Sequence, residues 1–143
     1  MRDLPLFPTT VAGSLPKPFW LAEPEKLWPQ WRHVGADLQA AKQDAALIWL
    51  KLQEDAGIDI ITDGEQFRIH FVHGFMEHLG GIDWAKKTKM GIRNNRYVVD
   101  VPTVTGPITR KASVHGEDAR FVRGHTRRAM KITLPGPMTI CDT

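Results

Sequence analysis

The chain holds a single cysteine, Cys141, in 143 residues. That excludes a disulfide within the chain and a zinc centre built wholly from its own cysteines. No apolar run approaches the roughly 18 residues of a membrane-spanning helix. Met1-Arg2-Asp3-Leu4-Pro5 is not followed by the apolar core of a signal peptide. Internal repeats and low-complexity tracts are also lacking, and so is a strong charge imbalance: the formal net charge is +3. Nucleic-acid binders show a concentrated basic face, which this mild balance does not supply, although it favours anionic small molecules slightly. The expectation is a soluble cytoplasmic protein with neither a membrane nor a nucleic-acid partner. A hydrophobic share of 42% and a charged share of 24% suit one packed domain or part of one.

What is present is organised by prolines and by apolar spacing. Pro5, Pro8, Pro16, Pro18, Pro24 and Pro29, mixed with Trp20, Trp28 and Trp31, rule out one long helix over 5–31, because an interior proline removes a donor and clashes. Thr9 to Ser14 reads as a short strand entering a loop. Leu38, Ala41, Ala45, Ile48, Leu52 and Ala56 predict a helix over 36–56, closed by Gly57. Ile58 to Thr62 predicts a buried strand that empties into Asp63-Gly64-Glu65. Phe67, Phe71, Phe75 and Leu79 predict a second helix over 66–80, and residues 81–96 read as an excursion or hairpin. Strand material follows at 97–101 and 104–106. Then come a helix over 117–126, with Ala119, Phe121 and Val122 inward, and a strand over 130–134 broken by Pro135-Gly136-Pro137.

This alternation predicts an α/β fold of parallel βαβ units, with strands near 9–13, 58–62, 103–106 and 130–134. Four strands fit half a barrel better than a finished open sheet, though the pattern alone leaves both open. In a barrel the loops after Gly13-Ser14, Asp63-Gly64-Glu65 and Pro135-Gly136-Pro137 share the face that carries active sites. Gly13 lets backbone approach a ligand, Ser14 offers a hydroxyl and an N–H to a carboxylate, and Glu65 can accept from an ammonium. Together they suit the two ends of an amino acid. The plainer alternative is that the glycines make turns and that Glu65 is a solvated loop acid.

Pro8-Thr9-Thr10-Val11-Ala12-Gly13-Ser14-Leu15-Pro16 resembles the opening motif of the catalytic barrel of cobalamin-independent methionine synthases. Thr62-Asp63-Gly64-Glu65-Gln66 resembles that family's second-strand motif, and Leu134-Pro135-Gly136-Pro137-Met138-Thr139 its later Gly-Pro-x-Thr segment. The motifs stand in family order and span nearly the whole chain. The resemblance implies a (β/α)8 TIM-type barrel, with residues 1–143 as its N-terminal half, roughly the first four β/α units. It implies methyl transfer to the thiol of homocysteine held by zinc, with methyltetrahydrofolate or a methyl-corrinoid protein as donor. The start at Met1 shortly before the opening motif is the arrangement expected of single-module relatives.

By the same resemblance Ala12, Gly13, Ser14 and Glu65 hold the amino-acid part of homocysteine, and Arg68 is a possible anion contact. Phe67 departs from the basic residue common at its position. The family's zinc ligands, a His-x-Cys pair, a Glu and a further Cys, are absent: there is no His-x-Cys, and Cys141 does not occupy a ligand position. No residue of this chain is therefore assigned to a metal or to the chemical step, and the chain alone is expected to be inactive. Other readings stay open: a zinc-dependent alkyl transferase acting on a thiol such as coenzyme M, or a non-catalytic half-barrel binding module. His70, His73 and His78 are polar helix residues, substrate contacts or, with Glu65 or Glu77, metal ligands. Arg120, Arg123, Arg127, Arg128 and His125 form an anion patch or a solvated helix face, and Trp20, Trp28, Trp31 and Trp49 suit packing. Half a barrel leaves an open face, so a homo-oligomer or a separate second half is expected.

Overall fold

The computed structural model describes residues 4–23, 30–92 and 94–141, so Pro24, Trp28 and Pro29 lie outside the described residues. The chain divides into two compact units, residues 1–71 with 115–133 and residues 72–114 with 134–143. No helix of the described residues is long and apolar enough to cross a membrane.

The first unit is built on helix α1, Gly35–Asp55. Its end is set by sequence: Gly57 adopts φ +75°, a conformation natural to glycine. Its N–H donates to Glu54 O at 3.1 Å, and the Ile58 N–H donates to Gln53 O at 3.0 Å, the paired pattern of a Schellman stop. The chain then enters β1, Ile60–Ile61, which pairs in parallel with β4, Ala129–Met130. Thr10 joins on the other side of Ile60 by a parallel bridge. Between β1 and β4 along the chain stands helix α3, Gly116–His125. Ala46 and Leu50 of α1, Ile61, Phe67 and Val122 form one buried cluster; Leu21, Ala22, Ala41 and Ala45 form another, with Trp20 and Trp31 against it.

The inward face of α1 differs from the predicted one over its second half. Ile48 and Leu52 are 45% and 50% exposed, while Leu50 and Gln53 are buried. Apolar residues lie on several sides of this helix, so spacing alone does not select the face; Ile61 and Phe67 select it by offering the apolar contact.

The second unit carries a long hairpin. β2, Leu79–Ile92, and β3, Tyr97–Arg110, are antiparallel, with Ile82 opposite Val104 and Ile92 opposite Tyr97. Asn94 and Asn95 turn the chain at φ +57° and +61°, which asparagine tolerates and tight hairpins require. Register shifts follow Gly80 and Asp83. At Gly81, φ +79° and a Pro107 carbonyl oxygen 2.4 Å from where a Cβ would stand leave no room for a side chain. Short helices α2, His73–Met76, and α4, Pro137–Cys141, complete this unit.

Two expectations are corrected here. Residues 103–106 are no parallel strand: β-branched residues signal extended backbone without its direction, and the Asn94-Asn95 turn folds them back on β2. The parallel array of the described residues thus has three members, at Thr10, β1 and β4, rather than four. Nor do residues 66–80 form one helix. Residues 64–67 are turns and only His73–Met76 is helical. The phenylalanine spacing misleads because its members serve different units: Phe67 packs edge-on against Phe121 at 5.7 Å in the first, whereas Phe75 belongs to the second.

Side-chain bonds fasten the first strand. Asp59 Oδ2 accepts from the Thr9 N–H and hydroxyl, both at 2.8 Å, and these bonds, the backbone one foremost, hold its carboxyl below the usual 3.8. A carboxyl whose folded-state pKa is depressed stabilises above its unfolded value, and that contribution is lost as pH falls through the folded value. Asp59→Asn is therefore expected to unfold more easily than the parent near neutrality. The difference should close below pH 3.8, as read from denaturation midpoints across an acid series.

Candidate functional site

Parallel strands place their following loops at one end. Residues 11–15 follow Thr10, residues 62–68 follow β1, and Thr133 follows β4, so the Gly13-Ser14 loop, the Asp63-Gly64-Glu65 loop and Thr133 share a rim. The Leu15 N–H donates to Gly64 O at 3.0 Å, and Gln66 Nε2 donates to the carbonyls of Leu15 and Gly64, each at 3.0 Å. These bonds fix the two loops side by side.

The second loop is fixed from below by α1. Buried Gln53 donates through Nε2 to Thr62 O at 2.8 Å and accepts the Thr62 N–H at 3.1 Å. Thr62 thus finds a side-chain partner for both backbone groups where β1 ends. Beyond it every residue from Ile61 to Arg68 is buried. Gly64 and Glu65 take φ +64° and +61°. For glutamate that conformation is strained, and it turns the carboxylate toward the first loop. A Cβ added to Gly13 would stand 3.3 Å from Glu65 Oε1. Glycine at position 13 is what leaves that carboxylate oxygen approachable.

Glu65 is 7% exposed and Arg68 6%. The Arg68 Nε stands 3.6 Å from Glu65 Oε2, just beyond hydrogen-bond length. Its other nitrogens are engaged: Nη2 donates to Thr133 O at 3.0 Å, and Nη1 meets His115 Nε2 at 3.1 Å. Lys17 Nζ donates to the Glu65 carbonyl at 3.2 Å. Burial pushes the Lys17 amine below the usual 10.5, and the charge of Glu65 opposes that shift. The rim therefore holds a buried carboxylate flanked by two cations, with backbone N–H groups and carbonyls beside it.

Of the residues singled out in the sequence, Gly13, Glu65 and Arg68 come together. Ser14 and Ala12 lie exposed on the adjoining loop. Lys17, His115 and Thr133 were not foreseen, and only the Leu15-Pro16-Lys17 sequence, a cation directly after the first loop, pointed to any of them.

The other motifs resolve into local contacts. Among the described residues no three His, Cys, Asp or Glu side chains gather as a metal set. His70 tilts against Phe71 at 5.0 Å, and His73 meets Trp84 edge-on at 5.6 Å. Arg123 donates to Thr126 O, Arg128 Nη2 to Glu54 O at 3.4 Å, and His125 Nδ1 meets Phe121 O at 2.7 Å. Arg123, His125 and Arg128 line a cavity of ≈ 570 Å³ at the ends of α1 and α3, where they bond to carbonyls near the helix C-termini. Trp49 Nε1 donates to Pro16 O at 3.0 Å, and Lys42 stacks over Trp31 at 4.4 Å.

The sequence profile of the catalytic domain of cobalamin-independent synthases matches residues 7–143. A methionine synthase of Sulfurisphaera tokodaii is 33% identical over 99% of this chain and 41% of its own length. One from Saccharolobus islandicus is 35% identical over 99% and 42%. In three dimensions the chain is similar to the structure of a B12-independent methionine synthase from Shewanella sp. W3-18-1 in complex with selenomethionine. That likeness has a TM-score of 0.89 and 54% identity, and covers 95% of this chain and 40% of the other. The chain thus spans about two fifths of the length of these relatives.

Proposed function

Since the chain belongs to the family of cobalamin-independent synthase catalytic domains, we propose that its Gly13–Glu65 corner holds the amino-acid end of homocysteine for methyl transfer to the thiol. The observation that carries this reading is the buried Glu65 carboxylate, set in a strained backbone conformation against a residue with no side chain. Strain of this kind persists where a function keeps it. An ammonium placed beside Oε1 would complete a charge-assisted bond with a buried carboxylate. The Gly13-Ser14 loop would receive the carboxylate through its backbone N–H groups and the Ser14 hydroxyl, with Arg68 as a further contact for negative charge. The selenomethionine of the Shewanella relative carries the same ammonium and carboxylate end as homocysteine.

In the proposed reaction the homocysteine thiol gives up its proton to solvent, a bond forms between its sulfur and the methyl carbon, and the bond from methyl to donor breaks, its electron pair leaving with the donor. Methyltetrahydrofolate and a methyl-corrinoid protein are the donor classes that this reading allows. Among the described residues no group of His, Cys, Asp and Glu fits a zinc ion. The 143 residues are read as the N-terminal part of a (β/α)8 barrel whose remaining strands complete the catalytic machinery.

Glu65 separates this reading from an alkyl transferase of the coenzyme M kind, since coenzyme M has no ammonium for it to meet. A charge-assisted hydrogen bond contributes roughly 1.5–3 kcal/mol, about tenfold to a hundredfold in affinity. Titration calorimetry should show homocysteine binding that Glu65→Gln weakens by that factor, with a cooperative melting transition retained although at a lower temperature, since the buried Arg68 loses its counter-charge. Binding of coenzyme M in preference, or parent-like affinity in the variant, would refute the ammonium role.

A further inference from the structure

We infer that His115 is a positioning residue for this site: through Arg68 it keeps the Glu65 carboxylate free to receive an ammonium. The inference rests on the proposed role of Glu65.

A guanidinium has donors only. At 3.1 Å from Arg68 Nη1, His115 Nε2 must therefore accept, which places the imidazole proton on Nδ1. That nitrogen faces Asp118 Oδ2 at 3.5 Å. Asp118 sits in the first turn of α3, where the helix dipole favours a carboxylate, so the acid is well placed to hold the tautomer. The result is an ordered series, Asp118 to His115 to Arg68 to Glu65, that runs from the start of α3 to the rim. Three of its side chains are buried, with Glu65, Arg68 and His115 each leaving at most 9% of the side-chain surface exposed.

The geometry at the last step gives the series its meaning. Arg68 is fastened at both terminal nitrogens, to His115 and to Thr133 O, and in that position its Nε stops 3.6 Å from Glu65 Oε2. Two opposite charges this close in a buried site would otherwise collapse into a short forked pair. A guanidinium so engaged would compete with a ligand ammonium for the same carboxylate. Held back by His115, Arg68 orients Glu65 without occupying it. Loss of the Nε2 acceptor should release Arg68 toward Glu65 and lower ligand affinity, although His115 itself touches no substrate.

The test is a double-mutant cycle on homocysteine affinity by calorimetry, with the melting temperature of every variant followed alongside. His115→Leu removes the acceptor. His115→Gln sets an amide oxygen near the Nε2 position, and His115→Asn is equally polar but too short to reach it. A coupled residue of this sort alters affinity roughly threefold to thirtyfold. His115→Leu and His115→Asn should lose that much, His115→Gln should recover most of it, and neither loss should appear when Glu65 is already glutamine. Should His115→Leu fail to fold, the Gln and Asn pair carries the comparison. Equal affinities for Gln and Asn, or losses that multiply with Glu65→Gln, would overturn the inference while leaving the role of Glu65 intact. Parent-like affinity in Glu65→Gln alone would overturn both.

Discussion

Gln53→Leu is expected to lower the free energy of unfolding by roughly 2–5 kcal/mol. Leucine fills a similar volume, so no cavity opens. What disappears is a set of bonds: Gln53 Nε2 to the carbonyls of Trp49 and Thr62, both at 2.8 Å, and the Thr62 N–H to Gln53 Oε1 at 3.1 Å. Thr62 is fully buried, so its N–H and carbonyl would lose their partner out of reach of water. Each orphaned group costs about 1–3 kcal/mol. Urea denaturation with an unchanged slope would report the loss. Gln53→Glu is the informative companion: it keeps an acceptor for the Thr62 N–H but turns a carboxylate oxygen on the Thr62 carbonyl, and should be no better tolerated than leucine. A loss below about 1 kcal/mol in the leucine variant would show that the amide bridge does not hold the end of β1.

Gly64→Ala should cost about 2–4 kcal/mol, from a left-handed conformation that L residues resist and from overlap. Its φ is +64°, and the new Cβ would stand 2.9 Å from the Leu15 Cβ. Leu15 cannot easily retreat, because its N–H and carbonyl are both bonded to the second loop. The loops would part, Gly13 would move from Glu65, and homocysteine affinity should fall at least tenfold together with the melting temperature. Gly124→Ala is the control. It lies within α3 with nothing within 4 Å of its added Cβ, so it should stabilise slightly, by about 0.5–1 kcal/mol. Equal effects of the two substitutions would refute the steric argument.

These residues also mark where sequence reasoning succeeds and where it stops. The stop at Gly57 was legible because the local chemistry of helix ends is carried by adjacent residues. The loops at Gly13 and Gly64-Glu65 were legible because each follows a recognisable apolar strand and carries a motif. Gln53 was not: a glutamine on a helix reads as a surface residue until the strand end that it serves is in place. The hairpin was only half legible. Residues 81–96 read as an excursion or hairpin, but the strand content of 97–106 looked equally suited to a parallel sheet, and the discriminating signal was the Asn94-Asn95 turn. His115 was hidden for another reason. Its partner Arg68 lies 47 positions away, and no local pattern links an imidazole at the start of one helix to a guanidinium in an earlier loop.

Lys131 gives the sheet a property that its ladders do not. Strips of chain joined by pairings only two residues long, like β1 and β4, would behave as hinged panels. The Lys131 ammonium, next to β4, reaches the carbonyls of Val11 and Ala12 beyond the first strand, while its own N–H donates to Ile61 O in the middle at 3.0 Å. The three strips are thereby triangulated, and a triangulated frame resists shear. The rim loops that carry Gly13, Glu65 and Thr133 inherit that stiffness. Under the proposed function, the relative placement of the ligand-holding groups is set before any ligand arrives, and little ordering remains to be done on binding.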